Sequence, residues 1–153
     1  MRYTASIFWE KKVTESFTDN KYSLKHTWAF DGGAEVPASS SPQVVPTPMS
    51  DASAVDPEEA FVAAISSCHM LFFLSIAASS NYIIETYEDN AEGIMSKNES
   101  EQMVMADIIL NPKIIFSGSN IPSAEQITNL HESAHKKCYL ANSVKTTIKV
   151  IQS

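Results

Sequence analysis

Residues 56–81, "DPEEAFVAAISSCHMLFFLSIAASSN", decide the fold of this protein, because they predict one long helix that is apolar on nearly every side. The beginning of the helix is well marked. Asp56 is a typical N-cap, Pro57 suits the first helical position, and Glu59 stands where a capping box needs a carboxylate. An apolar helix with small residues throughout is typical of the central core helix of a small fold.

A membrane span is not expected from this stretch. Residues 60–78 are about long enough to cross a bilayer. The run is interrupted, however, at Ser66, Ser67, Cys68, His69 and Ser75. We therefore interpret it as a helix of a soluble core.

The composition indicates a cytosolic globular protein. The 153 residues carry a formal net charge of −7 at pH 7 and are 44% hydrophobic. A chain of this length usually forms a single domain, so we expect one domain over residues 1–153. The acidic balance argues against nucleic acids and anionic membranes as partners, because both bind basic surfaces. No secretory signal is recognisable, and two cysteines are too few for a disulfide scaffold, so we expect free thiols and a cytoplasmic location.

The segment before the long helix predicts two strands and a loop. Apolar and polar side chains alternate over residues 22–30, which is typical of a half-buried strand, and residues 3–10 indicate another. Residues 36–51 are rich in proline and serine and predict an ordered loop.

The segment after the long helix predicts strands and a second helix. The expected strand runs are residues 81–97, 103–118 with a bend at Pro112, and 144–152. Between the last two runs, Ser123 and Gln126 have the spacing of a capping box that begins a helix, which ends near Cys138. This order of elements indicates an α+β fold, with a long central helix and a second helix packed on largely antiparallel sheets.

Both cysteines are predicted to face the core. Cys68 lies in the long helix beside His69, whose side chain is rotated by about 100° and is expected to fill a polar gap between helices. On the second helix, Cys138 continues an apolar stripe made of Ile127, Leu130 and Ala134. His135 lies three residues before Cys138, which places an imidazole beside the thiol. Buried cysteines often act only as small apolar side chains, and this interpretation stays open.

Two motifs of the sequence resemble those of a known family. The first is a Pro-Glu pair with a cysteine ten residues after the glutamate, and Glu58 and Cys68 fit it. The second is Ala-His-x-x-Cys-x-x-x-Asn, and it is matched by Ala134, His135, Cys138 and Asn142. Together they are similar to the motifs of the OsmC/Ohr family, the osmotically inducible and organic hydroperoxide resistance proteins. The resemblance covers roughly residues 20–150 and implies the OsmC-like fold.

The resemblance implies a thiol peroxidase that works as an intertwined homodimer without a cofactor. In such enzymes one cysteine attacks the O–O bond of a small organic hydroperoxide, giving an alcohol and a sulfenic acid. A second cysteine condenses with the sulfenic acid to a disulfide, which an external thiol or dithiol reduces. By position, Cys68 is the peroxidatic residue and Cys138 the resolving one, with His135 and Asn142 in support. Their α-carbons would have to approach to about 6 Å.

The sequence departs from the family pattern at one position. The family's glutamate holds an arginine over the thiolate at the dimer interface, so the resemblance implies that Glu58 clamps a cation beside a cysteine of the partner subunit. In the family the arginine comes from the N-terminal strands, where this sequence has Ala29, and the only arginine in the chain is Arg2. Lys25 and His26 are the candidates to replace it, although a lysine lacks the bidentate fork of a guanidinium. A solvated glutamate in the first helical turn is the simpler interpretation of Glu58.

Two other functions stay open. His131, His135 and Cys138 have the i, i+4, i+7 spacing of one helix face, and Cys68 or His69 could complete a tetrahedral metal site. Alternatively, the fold binds a small apolar ligand and catalyses nothing. The side chains that would line such a pocket are Trp28, Phe61, Met70, Phe72 and Phe73.

Overall fold

The computed structural model describes residues 1–152. Within them the strands are β1 (Ala5–Phe8), β2 (His26–Phe30), β3 (Glu35–Ala38), β4 (Ile83–Asp89), β5 (Glu92–Lys97), β6 (Met103–Leu110), β7 (Pro112–Ser117) and β8 (Thr147–Val150). The helices are α1 (Pro57–Ser79) and α2 (Ala124–Lys137), and a 3-10 turn covers Ala141–Ser143. The chain forms two compact units, Met1–Ala60 and Phe61–Ser153, while the expected single domain over 1–153 stays a prediction.

The first unit contains a three-stranded antiparallel sheet in the order β1-β2-β3. The two predicted strands are confirmed, in shorter form. The loop predicted over residues 36–51 is wrong at its beginning, because Val36, Pro37 and Ala38 belong to β3. β3 lies at the edge of this sheet, and an edge strand tolerates a proline because one side of its backbone needs no partner.

Helix α1 begins as the sequence predicts. The Glu59 amide donates to Asp56 Oδ1, and the Asp56 amide donates to Glu59 Oε1, each over 2.8 Å. This reciprocal pair satisfies two amide groups that the first helical turn leaves free. In the second unit the helix buries a single stripe of side chains spaced four residues apart, which consists of Ile65, His69, Phe73 and Ala77.

Helix α2 also has the predicted capping box. The Gln126 amide donates to Ser123 Oγ over 3.2 Å, and the Ser123 amide donates to Gln126 Oε1 over 2.8 Å. The helix ends at Lys137, and Cys138 is its C-cap with extended backbone angles. The capping geometry therefore places the second cysteine at the point where the chain leaves the helix.

The second unit contains two sheets. One pairs β4 with β7 antiparallel, and the other has the order β5-β6-β8, in which β5 and β6 are antiparallel and β6 and β8 parallel. The predicted bend at Pro112 separates β6 from β7, which lie in different sheets. Two core clusters contact α1, one containing Phe73 and Leu130 and the other Ile65 and Ile108. The α+β fold with two helices and largely antiparallel sheets is confirmed.

Helix α1 is also long and apolar enough to cross a membrane, by length and composition alone. The core helix of a soluble protein meets the same criteria of length and composition. The expectation that the protein has no membrane partner stays a prediction.

Candidate functional site

The structure brings the two cysteines together. Cys68 projects from α1 and is partly buried, whereas Cys138 is only 1% exposed. Their sulfur atoms lie 2.8 Å apart, and the Cys138 thiol donates a hydrogen bond to the Cys68 sulfur. A disulfide requires about 2.05 Å between the sulfurs, so a movement of less than about 1 Å would join them. Both cysteines were expected to face the core; Cys138 is buried there, whereas Cys68 is only partly buried.

The two thiols are not equivalent. Burial raises the pKa of the Cys138 thiol to about 11, and the hydrogen bond to Cys68 acts in the same direction. The amide of Ala141 lies 3.4 Å from the Cys138 sulfur and partly offsets this increase in pKa. Cys138 is therefore a protonated donor at neutral pH, and Cys68 is the accepting, more accessible member of the pair.

Asn142 positions the turn that carries Cys138. Its side-chain amide donates to the carbonyl of Lys136 over 3.1 Å, and its backbone amide donates to the carbonyl of Cys138 over 3.1 Å. These bonds satisfy carbonyl groups that the end of α2 leaves without a helical partner. Asn142 therefore supports the thiol by holding its backbone.

His135 does not contact the thiol as the helical spacing suggested. Its side chain is exposed. Within residues 1–152 the Cys138 thiol donates to the Cys68 sulfur and accepts from the amide of Ala141, and no imidazole is among its hydrogen-bond partners. A supporting role for His135 in the chemistry stays a prediction.

A buried pair of histidines connects α1 to α2. His69 Nε2 lies 2.9 Å from His131 Nδ1, and the rings stack with their centroids 5.2 Å apart. The residues are 1% and 4% exposed, and the ring of Phe73 packs on His131 at 4.3 Å. His69 fills the polar gap between helices that the sequence predicted. Its partner could not be foreseen, because His131 stands out in the sequence only through its spacing from His135.

Burial lowers the pKa of both histidines to about 4. For His69 the charge of His135 lowers the pKa further and Asp89 partly offsets it, while for His131 the second cause is His69. In addition, His69 Nδ1 is buried and has no hydrogen-bond partner among residues 1–152. A proton on that nitrogen would therefore be an unsatisfied donor, so the pair is neutral at pH 7.

The side chains proposed for a metal site do not converge. His131 is buried against His69, whereas His135 is exposed. In the part of the chain that the structure describes, no three His, Cys, Asp or Glu side chains are close enough to hold a metal ion. The alternative of a four-ligand site at the cysteines is therefore not formed.

The two candidates for the missing arginine are engaged elsewhere in the first unit. Lys25 Nζ lies 2.8 Å from Asp51 Oδ2. The hydrogen bonds from Lys25 and Ser53 hold the pKa of Asp51 well below its usual range. The amine of Lys25 is therefore already paired with a carboxylate. Its role as a substitute for the arginine stays a prediction.

Both ring nitrogens of His26 are hydrogen-bonded. Its Nδ1 lies 2.8 Å from the carbonyl of Leu24, and its Nε2 accepts a hydrogen bond from the indole of Trp28 over 3.0 Å. Because Nε2 accepts, the ring proton belongs on Nδ1, where it is donated to the carbonyl. A positive charge on His26 would break the bond to Trp28, so its supporting role in the chemistry also stays a prediction.

The aromatic side chains proposed to line an apolar pocket are mostly core. Phe73 is fully buried, Phe72 packs on its cluster, and Phe61 packs on the cluster around Ile65 and Ile108. These three phenylalanines are therefore ordinary core residues. An open pocket does exist, but its walls come from other residues in the first unit.

The fold and the paired cysteines define an OsmC-like protein. Residues 50–153, more than half of the chain, match the family described as OsmC-like protein. The structure is similar to that of an OsmC-like protein of unknown function from Vibrio cholerae, with a TM-score of 0.98 and 48% sequence identity over 100% of this chain and 99% of that one. The chain therefore belongs to the OsmC-like family, as its two motifs predicted.

More distant structures share the fold. An organic hydroperoxide resistance protein OsmC from Legionella pneumophila has a TM-score of 0.69 at 14% identity, over 100% of this chain and 96% of that one. The organic hydroperoxide resistance protein OhrB of Bacillus subtilis has a TM-score of 0.64 at 16% identity, over 99% and 98%. The family fold thus includes hydroperoxide resistance proteins. A comparison with the curated proteins finds no match.

Proposed function

We propose that the protein is a thiol peroxidase that reduces small organic hydroperoxides to alcohols. The observation that carries this proposal is the 2.8 Å approach of the two cysteine sulfurs, which come from positions seventy residues apart, one within α1 and the other at the end of α2. Two cysteines kept only as small apolar side chains would have no need to meet. Membership of a family that includes hydroperoxide resistance proteins supports the same chemistry.

The proposed cycle assigns one step to each cysteine. The Cys68 thiolate attacks one oxygen of the peroxide, the O–O bond breaks, and the leaving alkoxide takes a proton to become the alcohol. Cys68 is then a sulfenic acid. The Cys138 thiol condenses with it, releasing water and forming a disulfide. An external thiol or dithiol in the cytoplasm returns both residues to thiols.

The asymmetry of the pair supports this assignment. Cys68 is the partly exposed member, which a peroxide can reach, and Cys138 is buried behind it with its pKa raised to about 11. A buried, protonated thiol is a poor nucleophile toward peroxide in solvent. It is nevertheless in place to trap a sulfenic acid before a second peroxide oxidises it irreversibly.

We also propose that the working form is a homodimer. Helix α1 is apolar on nearly every side, yet only 22% of an apolar stretch of 18 residues within it is buried in this chain. Leu71, for example, is 61% exposed. A helix of this composition is normally covered all round, so a second copy of the chain is the natural cover for its remaining faces.

The experiment that tests the proposal is a single-turnover reaction followed by intact mass and thiol titration. One equivalent of cumene hydroperoxide added to the reduced protein should remove two hydrogen atoms and both titratable thiols. Cys138→Ser should instead give a sulfenic acid on Cys68 that dimedone traps, and Cys68→Ser should not react. If both thiols stay titratable in the wild type, the proposed function is wrong.

A further inference from the structure

Two contacts of different chemistry join α1 to the segment of α2 and its C-cap. Cys68 meets Cys138 with 2.8 Å between the sulfurs, and the next residue of α1, His69, meets His131 with 2.9 Å between ring nitrogens. At the α2 end the two contacts are separated by seven residues, which is about 10 Å of helix. The segment is therefore held against α1 at two separate points, and one of them is the site of the proposed chemistry.

The histidine contact depends on direction. The two rings are nearly parallel, at 14° to each other, and the ring of Phe73 packs on His131 with centroids 4.3 Å apart. A hydrogen bond weakens steeply as its angle departs from linearity, so this contact allows little sliding or rotation of one helix against the other. The pair therefore fixes the position of α2 along α1.

The apolar contacts between the same helices do not fix a position in this way. The buried members of their shared cluster are Phe73 and Ala77 from α1, and Leu130 and Ala134 from α2. Burial of apolar surface is non-directional, so it brings two helices together without setting their relative position. A contact that depends on direction is therefore needed to hold the two sulfurs at one distance.

Stability alone does not account for the two histidines. They are 1% and 4% exposed, and His69 Nδ1 has no hydrogen-bond partner within residues 1–152. A buried polar atom without a partner costs free energy, whereas two apolar side chains of similar volume can replace a buried polar pair at little or no cost. Orientation is what the histidine pair adds and an apolar pair would lack.

We propose that His69 and His131 are positioning residues for the cysteine pair. Their hydrogen bond sets the place of α2 along α1, and this places the Cys138 sulfur where a disulfide to Cys68 can close. Within residues 1–152 neither imidazole is a hydrogen-bond partner of either sulfur, so the histidines act through the helices and not on the reacting atoms. The inference rests on the proposed function in one respect, which is that the two cysteines form a disulfide.

The thiol–disulfide equilibrium with glutathione measures this positioning without peroxide. The reduced protein and one oxidised glutathione give the protein disulfide and two reduced glutathiones, and the equilibrium constant is the effective concentration of one cysteine at the other. Effective concentrations depend steeply on geometry, since a misplacement of about 1 Å can cost a reaction about 10²-fold. Loss of the histidine contact should therefore lower the effective concentration about tenfold, which raises the reduction potential by about 30 mV for this two-electron couple.

The main variant replaces both histidines, His69→Leu together with His131→Leu. The free energy of unfolding of the reduced double variant in urea at pH 7 should stay close to that of the wild type, because neither buried partner is left alone. Its effective concentration should nevertheless fall about tenfold. His131→Asn has a side-chain amide where the imidazole has Nδ1, so it keeps a partner for His69 and should keep an effective concentration near the wild-type value.

The matched control is His135→Leu, which makes the same change at an exposed histidine of α2 and should leave the equilibrium unchanged. An effective concentration that the double variant leaves intact would overturn the proposal. So would a loss in His131→Asn as large as in the double variant, a double variant that is unfolded at pH 7, or a wild type that forms no disulfide with glutathione. Normal exchange with glutathione but no reaction with cumene hydroperoxide would refute the proposed peroxidase alone.

Discussion

The buried histidine pair should make the protein less stable as the pH falls from 7 to 5. Burial lowers the pKa of His69 and His131 from the ordinary value of 6.5 to about 4. Above pH 6.5 both rings are neutral whether the chain is folded or unfolded, so the full stability is present. Below pH 6.5 these two histidines bind protons in the unfolded chain but not in the folded chain. The free energy of unfolding therefore falls until the pH reaches about 4.

The size of the loss follows from the same pKa values. Between pH 7 and pH 5, one histidine with an unfolded pKa of 6.5 and a folded pKa near 4 contributes a loss of about 2 kcal/mol. The two rings share a hydrogen bond and do not titrate independently, so we expect on the order of 3 kcal/mol for the pair. Ordinary carboxylates, with pKa values near 4, stay mostly ionised over this range.

Urea unfolding at pH 7, 6 and 5 measures this loss directly. His131→Gln keeps a hydrogen-bonding side chain opposite His69 but removes one titrating ring, so the loss between pH 7 and pH 5 should fall by about half. His135→Gln, which removes an exposed imidazole from the same helix, is the control and should change the loss far less. A wild type whose unfolding free energy is the same at pH 7 and pH 5 would refute the reasoning.

Substitutions at three positions test the packing and capping. Phe73→Ala should cost about 3–5 kcal/mol of unfolding free energy in urea, because the ring is fully buried and packs on His131. Gly93→Ala should cost about 1–3 kcal/mol in the same assay, because its Cβ would lie 2.5 Å from Val62 Cγ2; an unchanged midpoint would contradict this contact. Ser123→Ala should cost about 0.5–2 kcal/mol through the lost cap of α2, while Ser123→Asp should retain most of the stability.

Much of the fold could be predicted because its signals are local. The beginnings of α1 and α2 follow from capping boxes whose members lie within four residues of each other. The strand in residues 26–30 follows from alternation. β3 was missed because its proline is compatible with a strand only at the edge of a sheet. Whether a strand lies at an edge depends on its pairing with distant strands, which no local sequence pattern predicts.

The site could be predicted only where a motif marks it. The two motifs singled out Cys68 and Cys138 together, although no local sequence pattern predicts that their sulfur atoms are in contact. The partner of Lys25 lies in a loop twenty-six residues later, so its ion pair with Asp51 could not be foreseen. Likewise, helical spacing predicted that His131 and His135 act together on one face of α2. In the structure, His131 packs against His69 of α1, whereas His135 is exposed to solvent.

Steady-state peroxide consumption tests the central claim most directly. The assay supplies dithiothreitol as reductant and compares cumene hydroperoxide with hydrogen peroxide, in the wild type and in Cys68→Ser. We predict sustained turnover of the organic peroxide by the wild type, and none by Cys68→Ser. No turnover by the wild type, with both thiols still titratable after exposure to peroxide, would contradict the claim that the paired cysteines form a peroxidase.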